Sequence, residues 1–494
     1  MSATNAARLR IAAASVAAVL LVWAAGANAT LAILVAFTAL IAAGLFLVPK
    51  LALVVIAVFL TLQSLFVNLA GGPDEPLGLA LHRLHQAFAV AAVLRIAFFL
   101  SWEQVKRYRA LWLLSAAFVA AGLGSALVAR VPLETMALGA FLAVKFPVFL
   151  FLALTIPWSE RDSERLMHWA LWLGPWLLVS GVVVWLLPVD VQRLFREGEE
   201  SDFTRAGTTV MHGVMHHPNV FGWAAAVTGC YAVAALLAGR RASRPIALGS
   251  LGASVLGILG SLRRKPMVAL PVAVVYGVWR FARGRRRWAV LTAFALAGSG
   301  GAWIAMDRLQ AVYQDALTYV DLTSPTVPRV LLYVTGVEIA NERFPLGAGF
   351  GRFGGYASVW DYSPLYDEYG LSRIYGLTAD NPMYAEDTYW PHIAAETGWI
   401  GAALLIAYLM WLVVAAGRVA RAGPDQATRT LAVAAGLALV EGLVESAAGP
   451  VFELPLFALV LAVPLGIVLV RGAVPAGVPE PAPVAAASSS LERE

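Results

Sequence analysis

The length, composition and charge of this chain indicate a membrane protein. It has 494 residues, of which 60% are hydrophobic and only 14% are charged, and its formal net charge is +5. A soluble domain carries about 25% charged residues and could not hide this much apolar surface. The Lys and Arg residues form short clusters between apolar runs and no continuous basic face. The positive charge is therefore a topology signal, and nucleic acid is excluded as a partner.

Apolar runs of about 20 residues, the length that crosses a bilayer as a helix, recur along almost the whole chain. Backbone polar groups in lipid must be satisfied within each segment, so the predicted fold class is all-α, a polytopic transmembrane helix bundle with about 12–14 spans. Residues 8–29 also resemble a cleavable signal peptide, an alternative that leaves the later topology unchanged. The candidate spans are 11–29, 31–48, 51–70, 85–100, 110–128, 133–155, 166–188, 218–239, 245–260, 266–282, 288–305, 389–415, 430–448 and 454–471.

The basic clusters predict the orientation of these spans. With a cytoplasmic N-terminus every cytoplasmic turn is basic, as the positive-inside rule requires. The resulting organisation is N-terminal transmembrane helices over 1–305, one large extracytoplasmic loop over 306–388, C-terminal transmembrane helices over 389–471 and a disordered cytoplasmic tail over 472–494. The basic residues assigned to the inside are Lys50, Lys106, Arg107, Arg109, Arg161, Arg165, Arg240, Arg241, Arg244, Arg283, Arg285, Arg286, Arg287, Arg418, Arg421 and Arg471.

One basic cluster breaks this rule. Arg263, Arg264 and Lys265 lie in the tight turn between the ninth and tenth spans, which alternation places outside. Cations kept there against the topological bias indicate an anionic partner. In the alternative interpretation the two spans are one broken helix, and the cluster is a further cytoplasmic turn.

Two long connections, 189–217 and 306–388, fall on the same predicted outer side. The first ends in a histidine-rich segment, and the second is acidic and rich in Tyr, Gly and Pro. Within the second, apolar spacing from Val330 to Ile339 predicts a helix that ends before Pro345. The three glycines at 349, 351 and 354 are interpreted as a tight turn, because no βαβ unit surrounds them.

Four short motifs in this region resemble the O-antigen ligase and polymerase superfamily, whose members move glycans from undecaprenyl diphosphate carriers. The resemblance covers roughly residues 205–415. Ligases of that family usually have His where this chain has Asp387, and Trp where it has Tyr333, so the aspartate favours a polymerase. The motifs are 217–222 (His-Pro-Asn-Val-Phe-Gly), 261–264 (Ser-Leu-Arg-Arg), 329–333 (Arg-Val-Leu-Leu-Tyr) with the turn 344–351, and 387–388 (Asp-Thr) with 396–401 (Glu-Thr-Gly-Trp-Ile-Gly).

The resemblance implies a multi-pass protein of the bacterial inner membrane that polymerises polyprenyl-diphosphate-linked repeat units at the outer face. It would be an inverting glycosyltransferase that needs no metal and no cofactor, with membrane lipid and other glycan-assembly proteins as partners. Three alternatives remain open: ligase-type transfer to a lipid or protein acceptor, a polysaccharide or lipid transporter, and a non-catalytic assembly scaffold.

The residue types suit glycan transfer. A diphosphate leaving group gains negative charge as the glycosidic bond breaks, and preorganised guanidinium groups stabilise that charge. The attacking hydroxyl needs a base or an oriented acceptor. In the structural alternatives, Arg329 only pairs with an acid of the loop and Asp387 only caps the following helix. The predicted residues are Arg263, Arg264 and Arg329 for the diphosphate, Asp387, Glu386 and His217 in that order as base, and Asn219 and Tyr333 as further substrate contacts.

Other polar residues lie within apolar runs or carry a weaker metal signal. Lys145, Glu441 and Glu445 are predicted to lie inside the membrane, where ionisable groups are functional candidates by default. A structural Lys145–Glu441 pair explains them as well as a substrate path does. The three histidines of the segment 212–217 have the spacing of a metal pair but no third ligand nearby in sequence, so no metal site is predicted.

Overall fold

The computed structural model describes residues 29–197, 203–205, 208–239, 241–304, 306, 310 and 327–473. The first predicted span, 11–29, lies almost entirely outside these residues, and so does the predicted tail. Regular structure in the described part is helical, apart from a single β-bridge and the two-residue strands β1 (Thr204–Arg205) and β2 (Thr208–Thr209), which pair antiparallel.

The N-terminal half forms helices that follow the predicted apolar runs. A Pro begins α2, α4 and α11, where its missing N–H costs nothing. The helices are α1 (Ala29–Leu47), α2 (Pro49–Thr61), α3 (Gln63–Leu69), α4 (Pro76–His82), α5 (Leu84–Phe99), α6 (Trp102–Arg107), α7 (Arg109–Val128), α8 (Leu133–Leu154), α9 (Glu160–Leu186), α10 (Val189–Arg193) and α11 (Pro218–Ala238).

The C-terminal half continues the bundle around one largely irregular segment. The predicted helix between Val330 and Ile339 is confirmed as α15. The helices are α12 (Arg244–Ser261), α13 (Arg264–Phe281), α14 (Arg285–Ile304), α15 (Pro328–Glu342), α16 (Tyr356–Trp360), α17 (Leu365–Glu368), α18 (Trp390–Ala422), α19 (Gln426–Glu445) and α20 (Pro455–Gly472), with short 3₁₀ turns at Arg241–Ser243, Leu371–Arg373 and Ser446–Ala448.

Within the described residues, nine helices are long and apolar enough to cross a membrane, and up to eleven spans result if two bent pairs count as one span each. The bent pairs are α2 with α3, which meet at 68°, and α4 with α5, which meet at 52°. The predicted spans 266–282 and 288–305 are present as helices α13 and α14, but they are not among the nine. The chain is an all-α bundle with several candidate membrane spans, fewer in the described part than the fourteen apolar runs.

Helix α11 forms the centre of the bundle. It packs against α9, α12, α13 and α19, and 94% of its most apolar stretch is buried. Alanine and glycine dominate its sequence, and small residues let helix backbones approach closely where lipid provides no hydrophobic drive. Cys230 is buried on this helix.

Contacts between connections divide the bundle into two ends. At the first, Asn68 donates to the backbone oxygens of Arg193 and Leu194 at 3.2 and 3.1 Å, and Met211 N–H donates to Gly260 O at 2.9 Å. We call this the loop end; it comprises the described parts of 70–83, 129–132, 188–217, 262–263, 327–389 and 446–454.

The opposite end carries the basic turns. Lys50 pairs with Asp162 at 2.6 Å, Arg471 pairs with Asp425 at 2.9 Å, and the Tyr108 hydroxyl donates to Leu469 O at 3.0 Å. We call this the basic end; it comprises the described parts of 48–50, 100–109, 155–165, 239–244, 282–286 and 422–426. Arg95, near this end, is 3% exposed and donates to backbone oxygens, so it is buried in the bundle and does not reach toward the interface.

Candidate functional site

The candidate site centres on an ion pair between two predicted residues. Arg329 Nη2 lies 2.7 Å from Asp387 Oδ2, and Arg329 Nε donates to the backbone oxygen of Asp387 at 3.1 Å. Arg329 comes from the first turn of α15, and Asp387 lies three residues before α18. The side chains are 20% and 35% exposed, so the pair can be reached from solvent. An anionic ligand that competes with Asp387 would therefore meet the Arg329 guanidinium already held in one position and partly exposed.

A basic turn lies beside this pair. Lys265, in the first turn of α13, is within electrostatic reach of Asp387, Arg329, Glu445 and Arg263. Leu262 ends α12 in a left-handed conformation with φ of 48°, and the chain reverses there. The turn of Arg263, Arg264 and Lys265 therefore belongs to the loop end. The cluster therefore lies apart from the basic turns of the other end, and its position outside the membrane stays a prediction. Three cations, Lys265, Arg329 and Arg263, meet the two carboxylates Asp387 and Glu445 here, so the site offers cations to an anion at this point.

Glu386 adds a carboxylate that sits behind the ion pair. Burial raises the pKa of Glu386 to about 7, with Glu453 and Asp387 acting in the same direction against Lys145 and His392. The side chain remains partly exposed, and no hydrogen bond joins its carboxylate to a described residue. A carboxyl with this pKa can both accept and release a proton near neutrality.

Behind Glu386 lies a buried polar cluster. His392 Nε2 is 3.0 Å from Glu453 Oε1, and His392 Nδ1 is 3.6 Å from Glu396 Oε1. Glu396 also accepts a hydrogen bond from Phe353 N–H at 2.9 Å. Lys145 lies within electrostatic reach of Glu453 and Glu386. Buried charges need such partners, because an unpaired one costs several kcal/mol.

The remaining predicted residues lie at the same end but have structural roles of their own. His217 caps α11, with its Nδ1 accepting the Asn219 backbone N–H at 3.1 Å. Asn219 and Arg264 are partly buried in the first turns of α11 and α13. The Tyr333 hydroxyl donates to the backbone oxygen of Ala447. Each of these side chains therefore helps to shape the loop end, whatever else it contacts.

Charged neighbours connect the histidine segment to Glu386. His216 is within electrostatic reach of Glu197, His82 and His217, and Tyr356 is within reach of Glu197 and Glu386. Burial lowers the pKa of His212 to about 4, so this ring is neutral. Among the described residues, no group of three or more His, Cys, Asp or Glu side chains is arranged to hold a metal ion.

Two structural alternatives drawn from the sequence are wrong. Helix α18 begins at Trp390 after Tyr389, so Asp387 does not cap it. Lys145 does not face Glu441: its acidic neighbours are Glu453 and Glu386. Glu441 instead lies beside Glu445, which is the acid closer to Lys265.

Sequence reasoning did not select several members of this site. Lys265 is the third member of the basic cluster in the sequence. Only Arg263 and Arg264 were predicted as diphosphate ligands, because a guanidinium group suits phosphate better than an ammonium group does. Lys145 was predicted as an intramembrane candidate, but it lies far in sequence from His392 and Glu453, and the three carry no shared motif. Only packing brings them together, so no local signal could have grouped them.

Comparison with known proteins adds no relative. The sequence matches no model of a known protein family and no curated protein. Any function proposed for the chain must therefore rest on the geometry and chemistry of the site itself.

Proposed function

We propose that the protein transfers lipid-linked glycans, and specifically that it polymerises repeat units carried on a polyprenyl diphosphate at the outer face of a bacterial inner membrane. The observation that carries this proposal is that Arg329 pairs with Asp387 at one end of a membrane bundle, with Lys265 within electrostatic reach of both and Glu386 as the adjacent carboxylate. Cations there can take the charge of a departing diphosphate while a carboxylate receives the proton of the attacking hydroxyl.

The division of roles follows from the contacts. Arg329 is held in place by Asp387, which fixes the direction of its guanidinium before any ligand arrives. Lys265 approaches Arg329 and Asp387 from a different helix, so a diphosphate could be held from two sides. Glu386, which lacks a hydrogen bond to a described residue, is the group with lone pairs available to an incoming hydroxyl.

The test compares two arginine–carboxylate pairs of the same segment. Arg329→Ala should lower glycan polymerisation by about 100-fold or more, the usual cost of losing one preorganised donor to a developing anion. Arg343 Nη2 lies 3.2 Å from Glu368 Oε2, and this pair lies away from the site. Arg343→Ala is therefore the matched control and should keep near-normal activity. The measurement is surface-glycan chain length in a strain that lacks the chromosomal gene, after membrane insertion is verified.

The outcomes separate the candidate functions. Loss of long chains with single repeat units still displayed supports a polymerase, and loss of all attached glycan supports ligase-type transfer to a lipid or protein acceptor. A transporter would require Lys145 and dispense with Asp387, so Lys145→Met and Asp387→Asn are compared in the same assay. Full-length glycan in the Arg329→Ala strain would end the transferase proposal.

A further inference from the structure

A second polar opening lies at the loop end, and its lining does not include Arg329 or Glu386. It is an open cleft of about 650 Å³ between the start of α5, the start of α8 and the short helix α16. This volume is within the usual range of small-ligand sites, about 300–1,000 Å³. Its lining includes Arg83, Gln86, Glu134, Tyr356, Trp360 and Asp361.

Two exposed aromatic rings form one wall of this cleft. Trp360 is 62% exposed and Tyr356 is 41% exposed, and they lie one helical turn apart on α16 with ring centroids separated by 6.4 Å. Exposed apolar side chains that lie together in one patch are a feature of ligand-binding surfaces. Helix α16 positions both rings, and Arg83 lies 5.6 Å from the centre of the Trp360 ring.

The charges of the lining exclude two kinds of occupant. Glu134 and Asp361 outnumber Arg83, so a diphosphate would meet net repulsion. A lipid tail would leave these charged groups without water or partners. Asp361 is also fixed, because its carboxylate accepts a hydrogen bond from Thr135.

A neutral polyhydroxyl ring satisfies both features of the cleft. The C–H face of a sugar ring is apolar and slightly positive, so it stacks on the negative face of an aromatic ring. The sugar hydroxyls can donate to Glu134 and Asp361 and accept from Arg83 and Gln86. Aromatic walls with interspersed charged hydrogen-bonding groups therefore favour a carbohydrate over an anion or a lipid.

The cleft adjoins the candidate site. Tyr356 lies within electrostatic reach of Arg83 in the cleft and of Glu386 in the site. We propose that this cleft binds the sugar rings of the accepting glycan and directs its terminal hydroxyl toward Glu386. This inference rests on the proposed function for the identity of the glycan. The preference of the cleft for a sugar ring is argued from its lining residues alone.

The experiment measures binding of oligosaccharide to the purified full-length protein by calorimetry, so it requires no turnover. One probe is the repeat-unit oligosaccharide released by acid from the host's own surface polysaccharide, and a second is the oligosaccharide released from the host's glycolipid. We expect at least one probe to bind. Trp360→Ala should weaken its affinity by at least tenfold, and Trp360→Phe, which keeps a ring, should restore most of it.

A matched control exists at the basic end. Trp102 is 68% exposed and has Lys106 at 5.7 Å from its ring, an arrangement like that of Trp360 and Arg83 but remote from the cleft. Trp102→Ala should leave the affinity unchanged. Arg329→Ala should also bind the oligosaccharide normally, since it lies outside the cleft.

Each outcome decides for or against the cleft. Binding of the polymer-derived probe assigns the cleft to a growing chain, and binding of the glycolipid-derived probe assigns it to a ligase-type acceptor. Failure of both probes to bind the wild type, equal binding by Trp360→Ala, or an equal loss in Trp102→Ala overturns the cleft proposal. The proposed function is judged separately, by the glycan of the Arg329→Ala strain.

Discussion

At the scale of single residues, the two adjacent acids of the site differ in what surrounds them. One oxygen of the Asp387 carboxylate, together with its backbone oxygen, is engaged by Arg329. The Glu386 carboxylate has no such hydrogen bond, and its pKa is raised by burial to about 7. A base must offer a lone pair and must be ionised when the acceptor arrives. We therefore expect Glu386 to act as the base and Asp387 to orient Arg329, a reversal of the order that the sequence favoured.

The pH dependence of transfer tests this assignment. Glu386 must lose its proton to act as a base, so activity should rise with pH to a plateau above about 7 and fall about tenfold per pH unit below it. The measurement is the initial rate of transfer by purified protein between pH 5.5 and 8.5. Glu386→Gln should remove most of the activity, whereas Asp387→Asn should lower the rate but keep the inflection near 7.

The stability of the same variant provides a control that does not depend on activity. Because the folded protein raises the pKa of Glu386 above its usual value of 4.5, the fold binds this proton more tightly than the unfolded chain does. The group therefore costs stability as pH rises from about 4.5 to 7, and the full cost is present above 7. Glu386→Gln should unfold at a higher temperature than wild type at pH 8, with a smaller difference at pH 5.5. An unchanged inflection in any residual Glu386→Gln activity would contradict the role of this residue.

The pairing of residues 58 positions apart shows what a sequence can and cannot predict at this scale. Arg329 and Asp387 could be expected to meet, because both lie in connections assigned to the same side and their charges are opposite. The contact of His392 with Glu453 could not, because it depends on the depth at which the α19–α20 connection enters the bundle. The order of spans predicts on which side of a membrane a residue lies. Which residue it contacts there depends on how the helices pack.

At the scale of elements, the site depends on a break in α18. Gly398, with φ of 65° and ψ of −177°, interrupts the helix about two turns after its first residue, Trp390. The break frees the carbonyls of Ala395 and Glu396, which accept the N–H groups of Ala348 and Gly349 at 2.7 and 2.8 Å. The glycine turn 347–354 is thereby attached to the segment that carries His392. Such unsatisfied carbonyls inside a membrane protein require internal partners of this kind.

The same turn is inserted between two other helices. A side chain at Gly351 would place its Cβ 2.4 Å from the backbone oxygen of Thr135 on α8, and the φ of Gly351 is +84°. Only glycine satisfies both the close approach and the left-handed conformation. The sequence identified the tight turn, because closely spaced glycines mark one, but the helices that enclose it were not predictable from the motif.

A comparison of three glycines separates the two effects. Gly351→Ala adds strain and a backbone clash, Gly370→Ala adds strain alone because its Cβ would meet open space at φ +69°, and Gly249→Ala on α12 adds neither. We expect Gly370→Ala to cost about 1 kcal/mol and Gly351→Ala about 3 kcal/mol or more, with Gly249→Ala neutral or slightly stabilising. Thermal unfolding of the purified variants in one detergent gives the ranking. Equal melting temperatures for the first two would show that the turn is not tightly enclosed.

Element boundaries were the part of the fold least accessible from sequence. The runs 51–70 and 85–100 were predicted as candidate spans; the first is the bent pair α2–α3, and the second is preceded by a bend of 52° from α4 to α5. Apolar composition is the same on both sides of a bend, so hydropathy cannot locate one. The second bend places Arg83 at the cleft.

At the scale of the whole molecule, the two ends of the bundle have opposite chemical character. The basic turns predicted to lie inside contact one another at the basic end, where Lys50, Arg286 and Arg471 pair with acids or backbone oxygens of other turns. The candidate site and the cleft lie at the loop end. The assignment of connections to the two ends was predicted from the alternation of spans, because each helix that crosses the bundle leads the chain from one end to the other.

The site is also recessed from the tip of the loop end. Lys145 lies twelve residues after Leu133, the first residue of α8, which corresponds to about 18 Å along the helix. Glu386 and Glu453 lie within its reach, and Phe452 packs on Phe146 with ring centroids 5.2 Å apart. The polar cluster behind Glu386 therefore reaches into the span of α8, whereas the Arg329–Asp387 pair is open to solvent.

The orientation of the two ends is the assumption on which an external glycan substrate depends, and single cysteines test it. The one native cysteine, Cys230, is buried in α11, so it should contribute little background. Trp360→Cys at the loop end and Trp102→Cys at the basic end replace two side chains of similar exposure, 62% and 68%. In intact spheroplasts an impermeant maleimide should label position 360 at once, and position 102 only after the membrane is permeabilised. The reverse pattern would place Arg329 and Glu386 in the cytoplasm, where no exported glycan could reach them, and the proposed function would then fail together with the positive-inside assignment on which it was built.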